Sequence, residues 1–325
     1  MKVAFFETEG WRQDYYSERL PGYETVFNDK KVQETDVSDV RDADVIVSFT
    51  FSDLNKGNLE EFQDLELIVT QSTGYDHIDL EYCRDNDISV CNVPAYGERT
   101  VAEYSIALLT VLTRKIYKAI EKVKEMNFSR EGLRGNDLEG KTLGIIGTGK
   151  IGRNVIDIAH GFDMDIIAYD AFPKEEFEEE HDFTYVDLDE LLRESDAISL
   201  HVPLLDSTHH LLDDEAFEKM EQKPYIINTS RGKVIDTEAL QHALEQDLIK
   251  GAALDVIEYE SEIEGKDDGD ASLKKTTEDL IERDDVIVTP HSAFNTEEAI
   301  KRILDRTIQN IKTYADGTIP ETDVT

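Results

Sequence analysis

Basic charge is scarce in this chain: 34 lysines and arginines stand against 72 aspartates and glutamates, a formal net charge of -38 over 325 residues. A surface of that sign repels nucleic acid and anionic membranes, because each phosphate contact needs a cation. Both partner classes are therefore disfavoured. Cysteine is nearly absent as well; Cys83 and Cys91 are eight positions apart, with no histidine near enough to complete a metal-ligand set. They read as reduced structural thiols of a cytoplasmic protein, and no metal centre is expected. No stretch approaches the roughly 18 uncharged apolar residues of a membrane helix. The opening MKVAFFETEG has no basic segment followed by an apolar stretch and a cleavage site, so a soluble chain that is not exported is expected.

Hydrophobic residues make up 39% of the chain and fall in regular runs, which argues for a folded protein over a disordered one. The acids lie mostly between apolar positions, as in EEFEEEHD at 175–182, and read as solvated faces. Such a composition resembles that of halophilic proteins, in which salt screens self-repulsion. Loss of structure on moving from multimolar to millimolar salt is expected.

The length suits two domains. Short β-rich runs at Lys2 to Phe6, Asp44 to Phe49, Leu65 to Thr70 and Ile88 to Cys91 alternate with helical or polar stretches, predicting a parallel α/β sheet. Val101 to Val123 reads as one long helix with Val101, Ser105, Leu108, Leu109, Leu112 and Ile116 near one face. That stripe is open to two readings, burial in the chain's own core or a subunit interface. Further runs at Asp165 to Tyr169, Ala197 to Leu200, Tyr225 to Asn228, Gly251 to Leu254 and Val286 to Thr289 predict a second parallel sheet. Glu258 to Asp285, which carries GKDDGD, reads as a surface loop or insertion. Thr296 to Tyr314 has helical periodicity and is expected to return to the first domain.

Between Lys141 and Asp170 lies KTLGIIGTGKIGRNVIDIAHGFDMDIIAYD, a strand, a glycine turn, a helix and a second strand. Gly147, Gly149 and Gly152 have G-x-G-x-x-G spacing: the first permits a tight turn, the second lets backbone approach a pyrophosphate, and the third lets helix pack on strand. The helix N-terminus then offers free N–H groups to phosphate. Asp170 stands 18 positions after Gly152, where a carboxylate would take the adenosine ribose hydroxyls and repel a 2′-phosphate. NAD is thereby favoured over NADP, with Lys174 nearby as the opposing charge.

Three further stretches, INTSRGKVIDTEAL (227–240), GAALDVIEYE (251–260) and VTPHSAFNTEEA (288–299), join the glycine unit. Together they resemble the D-2-hydroxyacid dehydrogenases, NAD-dependent enzymes that interconvert 2-oxoacids and D-2-hydroxyacids. STGYDHIDL (72–80) is similar to that family's substrate-domain signature, with His77 where the family commonly has asparagine; NVPAYG (92–97) is similar to its D-lactate dehydrogenase branch. The resemblance implies two doubly wound parallel-sheet domains. One is a Rossmann cofactor domain over 98–295, and the other a discontinuous flavodoxin-like substrate domain over 1–97 and 296–325. It also implies an active-site cleft between them, hinge closure, and a homodimer built around the helix near Val101.

By the same matching, Arg231 would hold the substrate carboxylate and 2-oxo group with its planar fork. His291 would give and take the proton at the substrate oxygen, and Glu260 would bond the other ring nitrogen and fix its tautomer. Thr73 and Gly74 would face the carboxylate with backbone N–H groups, and Tyr96 would line the substrate pocket. Cofactor contacts would come from Gly147, Gly149, Lys150, Ile151, Gly152 and Asp170, from His201, Val202, Pro203 and Thr208, and from Thr229, Ser230, Arg231, Asp255 and His291, with Asp255 beside the nicotinamide ring. His201 has an equal claim to a structural role, and His209 and His210 read as solvated. Two rival readings remain. One is an NAD-sensing, corepressor-like binding protein; the other is a phosphoglycerate or phosphite dehydrogenase of the same family, the longer phosphoglycerate type being disfavoured by the chain's end at Thr325.

Overall fold

In the computed structural model of the chain, which describes residues 1–258 and 271–325, the polypeptide divides into two compact units, Met1–Tyr96 with Thr296–Thr325, and Gly97–Asn295.

The first unit is a five-stranded sheet of β1 (Lys2–Phe5), β2 (Glu24–Phe27), β3 (Val45–Ser48), β4 (Leu67–Thr70) and β5 (Ser89–Cys91), all parallel, in the order β2-β1-β3-β4-β5. That is the flavodoxin-like order. Strands β3 and β4 are buried along their whole length, as expected of a parallel sheet covered on both faces. The edge strand β2 was not foreseen; its pattern ETVF is exposed or half-buried throughout, so it leaves no apolar run to read. One face carries Ala4, Phe6, Ile46, Ile68 and Val90 in a common core. The helix Glu297–Ala315 packs on β4 and on the helix Trp11–Arg19, burying Ile300, Ile303, Leu304, Thr307, Ile308 and Ile311. Cys83 and Cys91 are free and buried, and burial pushes their thiols up to about 11 and about 12.

The second unit is a seven-stranded parallel sheet of β6 (Thr142–Ile146), β7 (Asp165–Tyr169), β8 (Thr184–Tyr185), β9 (Ala197–Leu200), β10 (Tyr225–Asn228), β11 (Gly251–Leu254) and β12 (Val286–Val288). Its order is β12-β11-β10-β9-β6-β7-β8, the doubly wound Rossmann arrangement extended by one strand. Alternate residues feed two cores: Ala252 and Leu254 enter one, and Ala253 enters the other with Leu143, Ile145 and Ile227. The strand order reverses between β6 and β9, and ligands of such sheets bind at the carboxyl ends beside that reversal.

Two expectations are corrected here. The single long helix from Val101 is two helices, Glu98–Thr113 and Ile116–Lys124, separated where Lys115 takes a left-handed φ of 51°. Carbonyl groups at the first helix's end are taken by other partners: the Thr113 carbonyl accepts the Asn136 N–H at 3.0 Å, and the Thr113 hydroxyl bonds back to Leu109 O at 2.8 Å. No glycine or proline marks the break, so the sequence carries no stop signal. Ser105, Leu108, Leu109 and Leu112 are buried in the unit's own core, whereas Ile116, Ile120 and Val123 are exposed. The second correction concerns the expected loop at 258–285, part of which is a helix, Ala271–Ile281. Its buried face is Thr276, Thr277 and Leu280, and two threonines in three positions make a weak apolar signal.

Candidate active site

Gly147 closes β6 with φ 98°, and a Cβ there would lie 2.6 Å from the carbonyl oxygen of His201, which follows β9. The two strand ends at the reversal are thus in direct contact, and a side chain at Gly147 would separate them. Gly152 is equally constrained, since a Cβ would stand 2.0 Å from Gly147 O. Gly149 differs: its φ is -62° and among the described residues nothing lies within 4 Å of an added Cβ. Neither backbone strain nor protein packing calls for glycine there, and open space above the turn suits a pyrophosphate. Gly149 also begins the helix Lys150–Ala159 without a side-chain cap, which leaves its first N–H groups facing outward. Lys150 is exposed and pairs with Glu98 Oε1 at 3.3 Å, while Ile151 is half-buried in the core.

Asp170 ends β7 with its carboxylate already oriented. Oδ2 accepts from the Thr148 N–H at 2.8 Å and hydroxyl at 2.9 Å, and Oδ1 accepts from Phe172 N–H at 2.9 Å. One lone-pair site remains, on Oδ1, for a ribose hydroxyl. The Thr148 hydroxyl also meets the Tyr185 hydroxyl at 2.7 Å, and Arg153 reaches back to Thr148 O at 2.6 Å while stacking on Phe177. Thr148, Arg153 and Tyr185 were not singled out from sequence, because they act by bracing the turn and carry no motif of their own.

His201, Val202, Pro203 and Thr208 form the loop after β9. His201 Nε2 lies 2.8 Å from the Ser199 hydroxyl, and desolvation of its ring pushes the pKa down to about 3, so the ring is neutral at physiological pH although the residue keeps some solvent contact. Thr208 closes the loop on itself, donating to Pro203 O at 2.6 Å and accepting Leu205 N–H at 2.8 Å.

Three consecutive strand ends carry the remaining groups. After β10, Asn228 organises the S-R-G turn: its Oδ1 accepts from the Ser230 N–H and hydroxyl at 3.0 and 2.8 Å, and its Nδ2 donates to Arg231 O at 2.9 Å. Arg231 is half-buried in extended backbone, with Nη1 donating to Ser230 O at 2.8 Å. Thr229 shares a 2.8 Å hydrogen bond with Ser105. A Cβ on Gly232 would lie 2.1 Å from Ile257 O, so this glycine is required by close approach.

After β11 comes Asp255, which is 1% exposed. Its carboxylate grips the turn after β12. Oδ1 accepts from the Thr289 hydroxyl at 2.6 Å and Ser292 N–H at 3.0 Å, and Oδ2 from Ala293 N–H at 2.8 Å. The His291 N–H donates to Asp255 O at 2.9 Å, and His291 itself holds φ 46°. The carboxylate therefore positions the histidine, and the local sequence could not reveal this because its partners lie 34 to 38 residues away. Glu260 lies outside the described residues.

In the first unit, Thr73 and Gly74 follow β4. Thr73 Oγ1 donates to Val93 O at 3.1 Å, Asn92 Nδ2 donates to Thr73 O at 2.9 Å, and the Ser72 hydroxyl donates to Gly74 O at 2.6 Å. These bonds use the carbonyls and side chains of the loop and, among the described residues, leave its Thr73 and Gly74 N–H groups out. His77 sits with Nε2 3.3 Å from the Thr70 hydroxyl, and Tyr96 is half-buried with its carbonyl accepting from Arg302 at 2.6 Å.

Comparison with known proteins bears on the family and the fold. The profile described as D-isomer specific 2-hydroxyacid dehydrogenase, NAD binding domain, matches residues 106–293. A 2-hydroxyacid dehydrogenase homolog of Haemophilus influenzae is 36% identical over 99% of this chain and 98% of its own length. D-lactate dehydrogenase of Escherichia coli is 34% identical over 98% of both. Among solved structures, D-lactate dehydrogenase from Aquifex aeolicus, complexed with NAD and lactic acid, superposes with a TM-score of 0.89 at 34% identity, covering 99% of this chain and 98% of that one. These similarities favour a dehydrogenase over an NAD-sensing binding protein. The chain belongs to the D-isomer specific 2-hydroxyacid dehydrogenase family, NAD-dependent oxidoreductases that interconvert 2-oxoacids and D-2-hydroxyacids.

Proposed function

We propose that this enzyme reduces a small 2-oxoacid to the D-2-hydroxyacid in the manner of a D-lactate dehydrogenase, with Arg231 and His291 as its working groups. The observation that supports this most is the common edge formed by the ends of β10, β11 and β12, where Arg231 and the turn of His291 stand on either side of Asp255. Bound NAD supplies or accepts the hydride. Arg231 neutralises and orients the substrate carboxylate through paired N–H donors, and His291 delivers a proton to the substrate oxygen as charge develops there. Thr73 and Gly74 offer N–H groups to the carboxylate, and Tyr96 shapes the pocket; the family motif assigns the partner of the His291 ring to Glu260, outside the described residues. Lys150, Ile151, Val202, Pro203, Thr208, Thr229 and Ser230 complete the cofactor contacts. Oxidation of D-lactate but not L-lactate by the purified protein is the expected result; the reverse preference would refute this reading.

The fixed carboxylate of Asp170 faces the ribose and disfavours a 2′-phosphate. For Asp170→Ser we expect the KM for NADH to rise and the preference for NADH over NADPH to fall by roughly tenfold or more, since a charge-assisted hydrogen bond contributes about 1.5–3 kcal/mol. An unchanged NADH to NADPH ratio would remove Asp170 from cofactor choice.

The protein acts in our reading as a cytoplasmic, halophilic homodimer. No helix among the described residues is long and apolar enough to cross a membrane. The helix Ile116–Lys124 buries no residue, and Ile120, Val123, Met126 and Phe128 are 50%, 46%, 78% and 72% exposed, a patch suited to a second copy. Sedimentation should give a dimer in multimolar KCl and a monomer for Phe128→Asp. Dilution into millimolar salt should unfold the chain. A wild-type monomer, or circular dichroism unaffected by salt, would contradict the respective statement.

A further inference from the structure

Beside the Arg231 turn, three side chains converge that the dehydrogenase chemistry does not use. His209 and His210 end the loop that begins at His201, and their rings stack with centroids 4.0 Å apart. His210 Nε2 meets Glu258 Oε1 at 2.8 Å, and Nδ1 faces Asp236 Oδ2 at 3.3 Å. The Glu258 side chain is 12% exposed, and its other oxygen accepts from the Thr237 N–H and hydroxyl at 3.2 and 2.9 Å. Far from being solvated, His210 is thus half-buried and engaged on both ring nitrogens, with a left-handed φ of 51° and its N–H donating to Lys233 O at 2.8 Å.

We propose that His209, His210 and Glu258 bind one divalent transition metal ion, with Asp236 orienting His210. One ligand atom from each of the three lies within 4.8 Å of the others. Bonds of about 2.0–2.2 Å to nitrogen and oxygen bring tetrahedral ligand atoms to roughly 3.5 Å apart, and His209, which is exposed, is the side chain able to swing inward. The ion takes the place of the proton between His210 Nε2 and Glu258 Oε1. Asp236 then accepts from Nδ1–H, the arrangement that fixes a metal-bound imidazole elsewhere. Two imidazoles and a carboxylate select Zn²⁺, Ni²⁺ or Cu²⁺ over Mg²⁺ and Ca²⁺, which prefer all-oxygen sites. Water completes the coordination. Because Gly232 packs on Ile257 and Glu258, such an ion pins the loop at 203–210 to the turn carrying Arg231.

The test uses the full chain without a histidine tag, stripped with chelator and kept in multimolar KCl so that weak binding to surface carboxylates is screened. Calorimetric titration with Zn²⁺ and Ni²⁺ should show one equivalent that excess Mg²⁺ does not displace, and Co²⁺ should give a visible spectrum with imidazole ligation. His209→Ala and Glu258→Gln should each weaken Zn²⁺ at least about tenfold, and the rise in Tm that Zn²⁺ gives the parent should vanish in His209→Ala. His209 is exposed and its loss leaves the fold intact, so a folded His209→Ala that binds Zn²⁺ as the parent does would overturn the proposal. Binding that Mg²⁺ abolishes would overturn it as well.

Discussion

Replacing His291 by asparagine should lower kcat by about 10² to 10⁴ while the protein remains folded and NADH still binds, because that is the usual contribution of a positioned general acid. Asparagine is the informative substitution. It tolerates the left-handed φ of 46° that this position holds, and it keeps the backbone N–H that donates to Asp255 and Thr289, yet it has no proton to give at neutral pH. A fall in activity with unchanged Tm therefore isolates the imidazole from the turn. Asp255→Asn supplies the contrast: its carboxylate holds three donors of the turn, so the variant should lose both stability and turnover. Steady-state NADH oxidation with a 2-oxoacid, alongside thermal melting, separates the cases. Turnover near that of the parent in His291→Asn would take the histidine out of the proton path.

Arg231→Lys keeps the charge and should still reduce kcat/KM by roughly 10² to 10⁴. Two charge-assisted hydrogen bonds contribute about 3–6 kcal/mol together, and an ammonium cannot present two parallel N–H groups to a carboxylate. The loss should be largest at the substrate, with NADH affinity measured by fluorescence nearly unchanged. Arg231's backbone is fixed independently by Asn228 and by the packing of Gly232 on Ile257, so the turn should survive the change. A parallel loss of NADH affinity would instead mean that Arg231 serves the cofactor.

Both sheets were readable from sequence because buried parallel strands are near-continuous apolar runs. β7, β9, β10 and β11 start and stop where those runs do. Edge strands β2 and β8 were not, since partial exposure lets polar residues interrupt them. Helix periodicity located the face around Leu108 and Leu109 but not the stop at Lys115, which depends on Gly135 and Asn136 arriving against Thr113 from another part of the chain. A threonine-lined face likewise hid the helix Ala271–Ile281.

By itself the sequence determined the family, the cofactor and the two-sheet α/β architecture. Glycine spacing and the short motifs around Arg231 and His291 are local, and covalent geometry carries them into the fold unchanged. Tertiary structure alone decided what Asp255 grips, what braces Asp170, and that His210 lies between Asp236 and Glu258. Those roles are hydrogen bonds between strand ends that are neighbours in the sheet but tens of residues apart in the chain. No local pattern of polarity records which acceptor a donor will meet.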